Sequence, residues 1–187
     1  MRWEALFADM EARWDAEASA ELERDIAEAT RFEQAAVGLV DRLRAQIGAM
    51  VTVALPGERL VEMRLDAVGE DWIAGSEGHQ GIVVPLQAVQ SVEGLPRRAA
   101  HEHSRVRRRM GLSMVLRGMA RDRAVVEIRG AEGGVLVHGL LVNVGRDHCE
   151  VARTIAGEVP RLRRAQGVRT VPFAAMTEIR AEAHPPS

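Results

Sequence analysis

All 25 basic residues of this 187-residue chain are arginine, and they are unevenly placed. Arg97, Arg98, Arg105, Arg107, Arg108 and Arg109 crowd one stretch, and Arg161, Arg163, Arg164 and Arg169 another. A guanidinium presents a planar fork of donors that matches phosphate and carboxylate oxygens, so such clusters predict phosphate neutralisation. Trp72 and His148 add flat rings on which an unpaired base could stack, and Arg146 lies two positions before His148. Other chemistry is thinly supplied. His101-Glu102-His103 offers two metal ligands without a third at suitable spacing. His148-Cys149 lacks a partner for nucleophilic catalysis, and the glycines at 130, 133 and 134 lack the Gly-Lys-Ser/Thr ending of a phosphate loop. The residues therefore predict a binding protein, not an enzyme, with no cofactor and no metal.

The elements that must hold these residues repeat. Leu65-Asp66-Ala67-Val68-Gly69-Glu70-Asp71-Trp72-Ile73 reads like Leu141-Val142-Asn143-Val144-Gly145-Arg146-Asp147-His148-Cys149. Upstream, Val51-Thr52-Val53 is echoed by Val126-Glu127-Ile128; downstream, Val84-Pro85-Leu86-Gln87-Ala88-Val89 is echoed by Val171-Pro172-Phe173-Ala174-Ala175-Met176. Three matches in one order indicate a small module built twice, with Trp72 and His148 at equivalent positions.

Period-2 alternation predicts five short strands in each copy. In the first they run over Met50–Leu55, Leu60–Val68, Trp72–Ala74, Gly81–Val84 and Val89–Val92. In the second they run over Ala124–Arg129, Val135–Val144, His148–Ile155, Val168–Val171 and Met176–Arg180. Pro85 and Pro172 cannot donate to a ladder, so each predicts a strand end followed by a single helical turn. A helix with Ala36, Leu39, Val40 and Leu43 on one face precedes copy one; another, Gly111–Arg121, precedes copy two. Residues 2 to 28 read as a further amphipathic helix with Trp3, Leu6, Phe7, Met10 and Trp14 on one face. That stripe is packing surface for the barrel or another subunit, or else a grip for a partner helix.

These elements predict a mainly β protein with α. A helical arm at 1–35 leads to a first five-stranded barrel with its helix at 36–96. An Arg-rich connector at 97–110, a second barrel with its helix at 111–182 and a frayed tail at 183–187 follow. A composition of 47% hydrophobic and 28% charged residues is ordinary for a globular chain. The net charge of −2 conceals eleven acids against six arginines in residues 1–48, and nine arginines against two acids in 97–123. A single cysteine excludes an intrachain disulfide and predicts a reducing, cytoplasmic setting, and no window is apolar enough for a membrane helix.

The order helix, Val-x-Val, hairpin, Leu-x-x-Val-Gly-x-Asp, then Val-Val-Pro-x-x-Ala-Val resembles the Sm-like family of SH3-like small barrels, including its bacterial Hfq branch. The resemblance covers residues 36–94 and 111–181. It implies RNA as partner and edge-to-edge association into homo-oligomers. The family's Asp and Asn around the turn between strands two and three are replaced here by Gly69-Glu70-Asp71-Trp72 and Gly145-Arg146-Asp147-His148, and its Lys-His before the last strand by Val-Pro. RNA contact would therefore use other residues: Arg105, Arg107, Arg108, Arg109, Arg161, Arg163 and Arg164, with Trp72, His148 and Arg146. A rival expectation is a protein-interaction or assembly module that holds partners by its N-terminal helices; a third, with less behind it, is a DNA-binding regulator.

Overall fold

Alternating apolar residues and tight glycine turns fold most of this chain into antiparallel ribbons. The computed structural model describes residues 10, 14, 22, 24, 28, 35–100, 102, 104–154 and 167–181. The chain divides into two compact units, residues 1–38 and 39–187. In the first, the described positions Met10, Trp14, Leu22, Arg24, Glu28, Ala35 and Ala36 are helical. The rest of the predicted helix over 2–28, and the tail from 183, lie outside the described residues.

The second unit opens with helix α1, Leu39–Arg44, which buries Leu43. Strands β1, Met50–Leu55, and β2, Arg59–Val68, form the first hairpin. Its turn places Gly57 at φ 77° and Glu58 at φ 56°, the left-handed region that glycine enters without a steric penalty. Strands β3, Trp72–Glu77, β4, Gln80–Pro85, and β5, Ser91–Glu93, complete the first copy. Two short helices follow: α2, Arg105–Arg108, and α3, Leu112–Arg121. The second copy comprises β6, Val125–Arg129; β7, Val135–Val144; β8, His148–Arg153; β9, Val168–Pro172; and β10, Glu178–Ala181. A 3-10 turn follows each strand-ending proline, at Leu86–Ala88 and Phe173–Ala175.

The result is a mainly β protein whose ten antiparallel strands make one open sheet. Its order is β5-β1-β2-β3-β4-β10-β6-β7-β8-β9. Each copy thus contributes the same sequence of neighbours: last strand, first, second, third, fourth. The junction is the pairing of β4 with β10, Val83 facing Ile179 and Ile82 facing Arg180. Period-2 patterning locates strands but carries no record of this pairing, because both edges look alike in sequence. The second strand of each copy also carries the same irregularity: the register shifts between Leu65 and Ala67, and again between Leu141 and Asn143. An extra residue there increases the local bend of the ribbon.

Two apolar clusters lie on the sheet. One gathers Leu43, Val53, Met63, Leu65, Ile73 and Val84 of the first copy. The other gathers Leu116, Val126, Ile128, Leu141, Val151 and Ile179 of the second, and it also takes in Trp72 and Val83 of the first. Each fully buried aliphatic side chain contributes roughly 1.5–3 kcal/mol. The shared residues make the two copies parts of one packed body.

Candidate nucleic-acid interface

The Val-Gly-x-Asp turn does the same structural work in both copies. Gly69 donates its N–H to the Trp72 carbonyl, and Gly145 donates to the His148 carbonyl, both at 2.9 Å. The ring three residues on then crowds the space above the glycine. A Cβ on Gly69 would sit 2.1 Å from Trp72 Nε1, and one on Gly145 would sit 2.4 Å from His148 Cε1. The turn's aspartate carbonyl next receives the proline turn: Leu86 N–H donates to Asp71 O and Phe173 N–H to Asp147 O, each at 2.8 Å. Two loops distant in sequence are thereby tied together at one end of each copy.

The copies then diverge. Trp72 is 5% exposed and its Nε1 donates to the Met110 carbonyl at 2.7 Å. Its ring is therefore packed under the connector and offers no face to a base, unlike the stacking role its position implied. His148 is half-buried, and its Nδ1 lies 2.9 Å from Asp147 Oδ1. That hydrogen bond holds the exposed Asp147 carboxyl below its ordinary pKa. Asp71 is used differently, its Oδ1 accepting the Leu112 N–H at the start of α3 at 2.7 Å. Cys149, fully buried, is pushed up to about 11 by burial, so the thiol stays protonated at neutral pH.

A cavity of about 350 Å³ opens where these turns meet, lined by Asp71, Pro85, Gln87, Leu112, Arg146, Asp147, Pro172, Phe173 and Ala174. It is built from both copies, and Gln87 crosses the junction to donate to the Phe173 carbonyl at 3.0 Å. Arg146 stands exposed at its edge. Beside the same turn, exposed Arg117 of α3 donates to the Gly145 carbonyl at 3.2 Å. Sequence reading passed over both Arg117 and Phe173. The spacing of Arg117 on α3 was legible, but its approach to a turn 28 residues away was not.

Two sets of arginines contrast. Arg44, Arg59, Arg64, Arg129 and Arg180 are paired with carboxylates inside the sheet unit. Arg107, Arg108 and Arg109 at the end of the connector are exposed, as is Arg146, and none forms a salt bridge among the described residues. Ser104 caps α2 by accepting the Arg107 N–H at 3.4 Å, and the Met110 carbonyl accepts both Glu70 N–H and Trp72 Nε1. The connector is thus anchored to the first turn at the point where its arginines end. Arg105 has its backbone in α2, but its side chain lies outside the described residues, as do Arg161, Arg163 and Arg164. Arg169 is on β9 and donates to the Leu136 carbonyl.

A second cavity, about 320 Å³, is lined by Ile47, Asp66, Ala67, Val68, Trp72, Glu102, Arg107 and Met110. Its carboxylates are engaged: Asp66 pairs with Arg64, and Glu102 accepts the Ser104 N–H. No group of three or more metal-ligating side chains occurs among the described residues, and no described helix is long and apolar enough to cross a membrane. Comparison of the chain with protein-family models, with curated proteins and with solved structures found no match.

Proposed function

We propose that this chain is a non-enzymatic RNA-binding protein whose two five-stranded halves are tandem Sm-like barrels. The repeated neighbour order, and a core cluster centred on each half, support the barrel reading. The RNA reading is carried by one observation: Arg107, Arg108, Arg109 and Arg146 are exposed with no carboxylate partner among the described residues, although acids outnumber bases in the chain. Exposed guanidinium groups of this kind can neutralise phosphates, and the counterions released drive binding. Arg117 and Arg146 extend the charge to the rim of the 350 Å³ cavity, where Phe173 and two prolines offer flat walls to a base. His148 remains the ring of the second turn, and Trp72 supports the connector from beneath.

The test is a titration of labelled single-stranded RNA at two or more salt concentrations, on protein purified free of nucleic acid. Affinity falls as salt rises, with a slope of about −0.7 per phosphate contact. Replacing Arg107, Arg108 and Arg109 together by Ala reduces that slope by about two and leaves the thermal midpoint unchanged. Absence of salt-dependent affinity in the intact chain overturns the reading.

The rival, a protein-interaction or assembly module, is favoured by a different feature: among the described residues, β5 and β9 have no strand on their outer sides. It predicts self-association or partner capture with no response to RNA.

A further inference from the structure

The cavity between the connector and the end of β2 is largely apolar but carries one uncommitted charge. Its volume, about 320 Å³, lies at the lower end of the range for small-ligand pockets. Its walls come from separate parts of the chain. Ile47 stands before β1, Asp66 and Ala67 sit at the register shift of β2, and Trp72 opens β3. Glu102, Arg107 and Met110 of the connector form the remaining side. In the ladder Leu65 faces Gly75 and the next pair is Ala67 with Ala74, so Asp66 is the extra residue of a bulge. A bulge of this kind bends its strand and re-aims the side chains beside it. Met110 fixes the connector over the gap, its carbonyl accepting Trp72 Nε1 at 2.7 Å and Glu70 N–H at 3.2 Å.

Three charged side chains interrupt the apolar lining, and two of them are already engaged. Asp66 Oδ1 pairs with Arg64 at 3.1 Å, and Glu102 Oε1 accepts the Ser104 N–H at 2.9 Å. Arg107 forms no salt bridge and no side-chain hydrogen bond among the described residues. A guanidinium holds a carboxylate through two parallel N–H···O bonds, a match of shape as well as charge. The two engaged carboxylates limit what else fits. They would repel a second negative charge on the ligand, which disfavours a phosphate dianion. A cation would meet Arg107 and find both carboxylates already in use. One negative charge on an apolar body is the combination that these walls complement.

We propose that this cavity binds a small amphipathic monocarboxylate, with its ring or short chain against Trp72 and Met110 and its carboxylate on Arg107. The site is separate from the 350 Å³ cavity where the two copies meet. It rests on the lining of this cavity and not on RNA binding. Arg107 also belongs to the arginines assigned to phosphate, so a bound carboxylate would occupy one guanidinium of that set.

Trp3 and Trp14 are the only other tryptophans, so the full chain with both replaced by Phe reports from Trp72 alone. Titration with phenylacetate, in the absence of nucleic acid, shifts the Trp72 emission to a saturable end point. The matched amide, phenylacetamide, binds about tenfold or more weakly, and phenethylammonium more weakly again. Arg107→Ala lowers the affinity for phenylacetate to that of the amide, leaves the amide's own affinity unchanged and does not move the thermal midpoint. Calorimetric titration of the unsubstituted chain gives the same order of ligands. Absence of a saturable response to phenylacetate by both methods overturns the proposal. So does equal affinity for the acid and its amide, tighter binding of the ammonium, or an affinity for phenylacetate that is indifferent to Arg107→Ala.

Discussion

Gly69 and Gly145 stay glycine because ring atoms already occupy the space a side chain would need. A Cβ at Gly69 would also fall 2.6 Å from the Met110 carbonyl, which is rigid backbone. Gly69→Ala is expected to lower stability by about 1–3 kcal/mol, read as a drop in the denaturant midpoint at unchanged slope. Cys149 leads to a second expectation. With its thiol buried and its pKa raised to about 11, it should resist alkylation in the native protein at neutral pH and react only after unfolding. The sequence identified both positions as part of a repeat, since identical local demands leave identical residues. It could not assign their environments. Trp72 looked like a free ring because the carbonyl that holds its indole belongs to Met110, 38 residues later.

Elements were legible wherever the burial pattern was local. The β2 pattern, with Val61, Met63 and Leu65 inward and Glu62, Arg64 and Asp66 outward, is the period-2 rule itself. The turn after each Val-Pro was legible because proline removes a donor and favours a helical start. The boundaries moved where ladder partners decide them: the fifth strand is Ser91–Glu93, not Val89–Val92, since Val89 N–H is taken by the Leu86 carbonyl. The two turn aspartates look equivalent in sequence, yet only Asp71 caps a helix. Asp71→Ala should therefore cost about 1 kcal/mol of stability, while Asp147→Ala leaves the thermal midpoint nearly unchanged. Parallel melting curves of the two variants check this.

At the scale of the molecule, the junction between halves depends on a buried carboxylate. Glu178 of β10 is fully buried; it accepts from Arg59 Nε at 2.6 Å and from Arg180 Nε. Burial pushes its pKa up, but the hydrogen bonds and charges of Arg59 and Arg180 outweigh burial, so its folded value lies below the ordinary carboxylate range. A depressed folded pKa contributes stability above the unfolded value, near about 4.3. That contribution is lost as pH falls through the folded value. Glu178→Gln should destabilise the chain by about 3 kcal/mol at pH 7 and flatten the acid limb of its stability profile, measured by denaturant midpoints from neutral pH downward. This contact was illegible in the sequence, because Arg59 and Glu178 are 119 positions apart and nothing in either local pattern refers to the other.

The position of β10 also orders the birth of the fold. The first half can make all its own ladders from residues 50 to 93, but β4 keeps one bare edge until residues 178–181 have emerged. Through the synthesis of more than 80 intervening residues, an unsatisfied row of amides waits beside apolar Ile82 and Val83. Such edges recruit other strands during slow, non-local folding. The last strand therefore acts as a stopper, and the interval before its arrival is when a nascent chain is most open to pairing with the wrong neighbour.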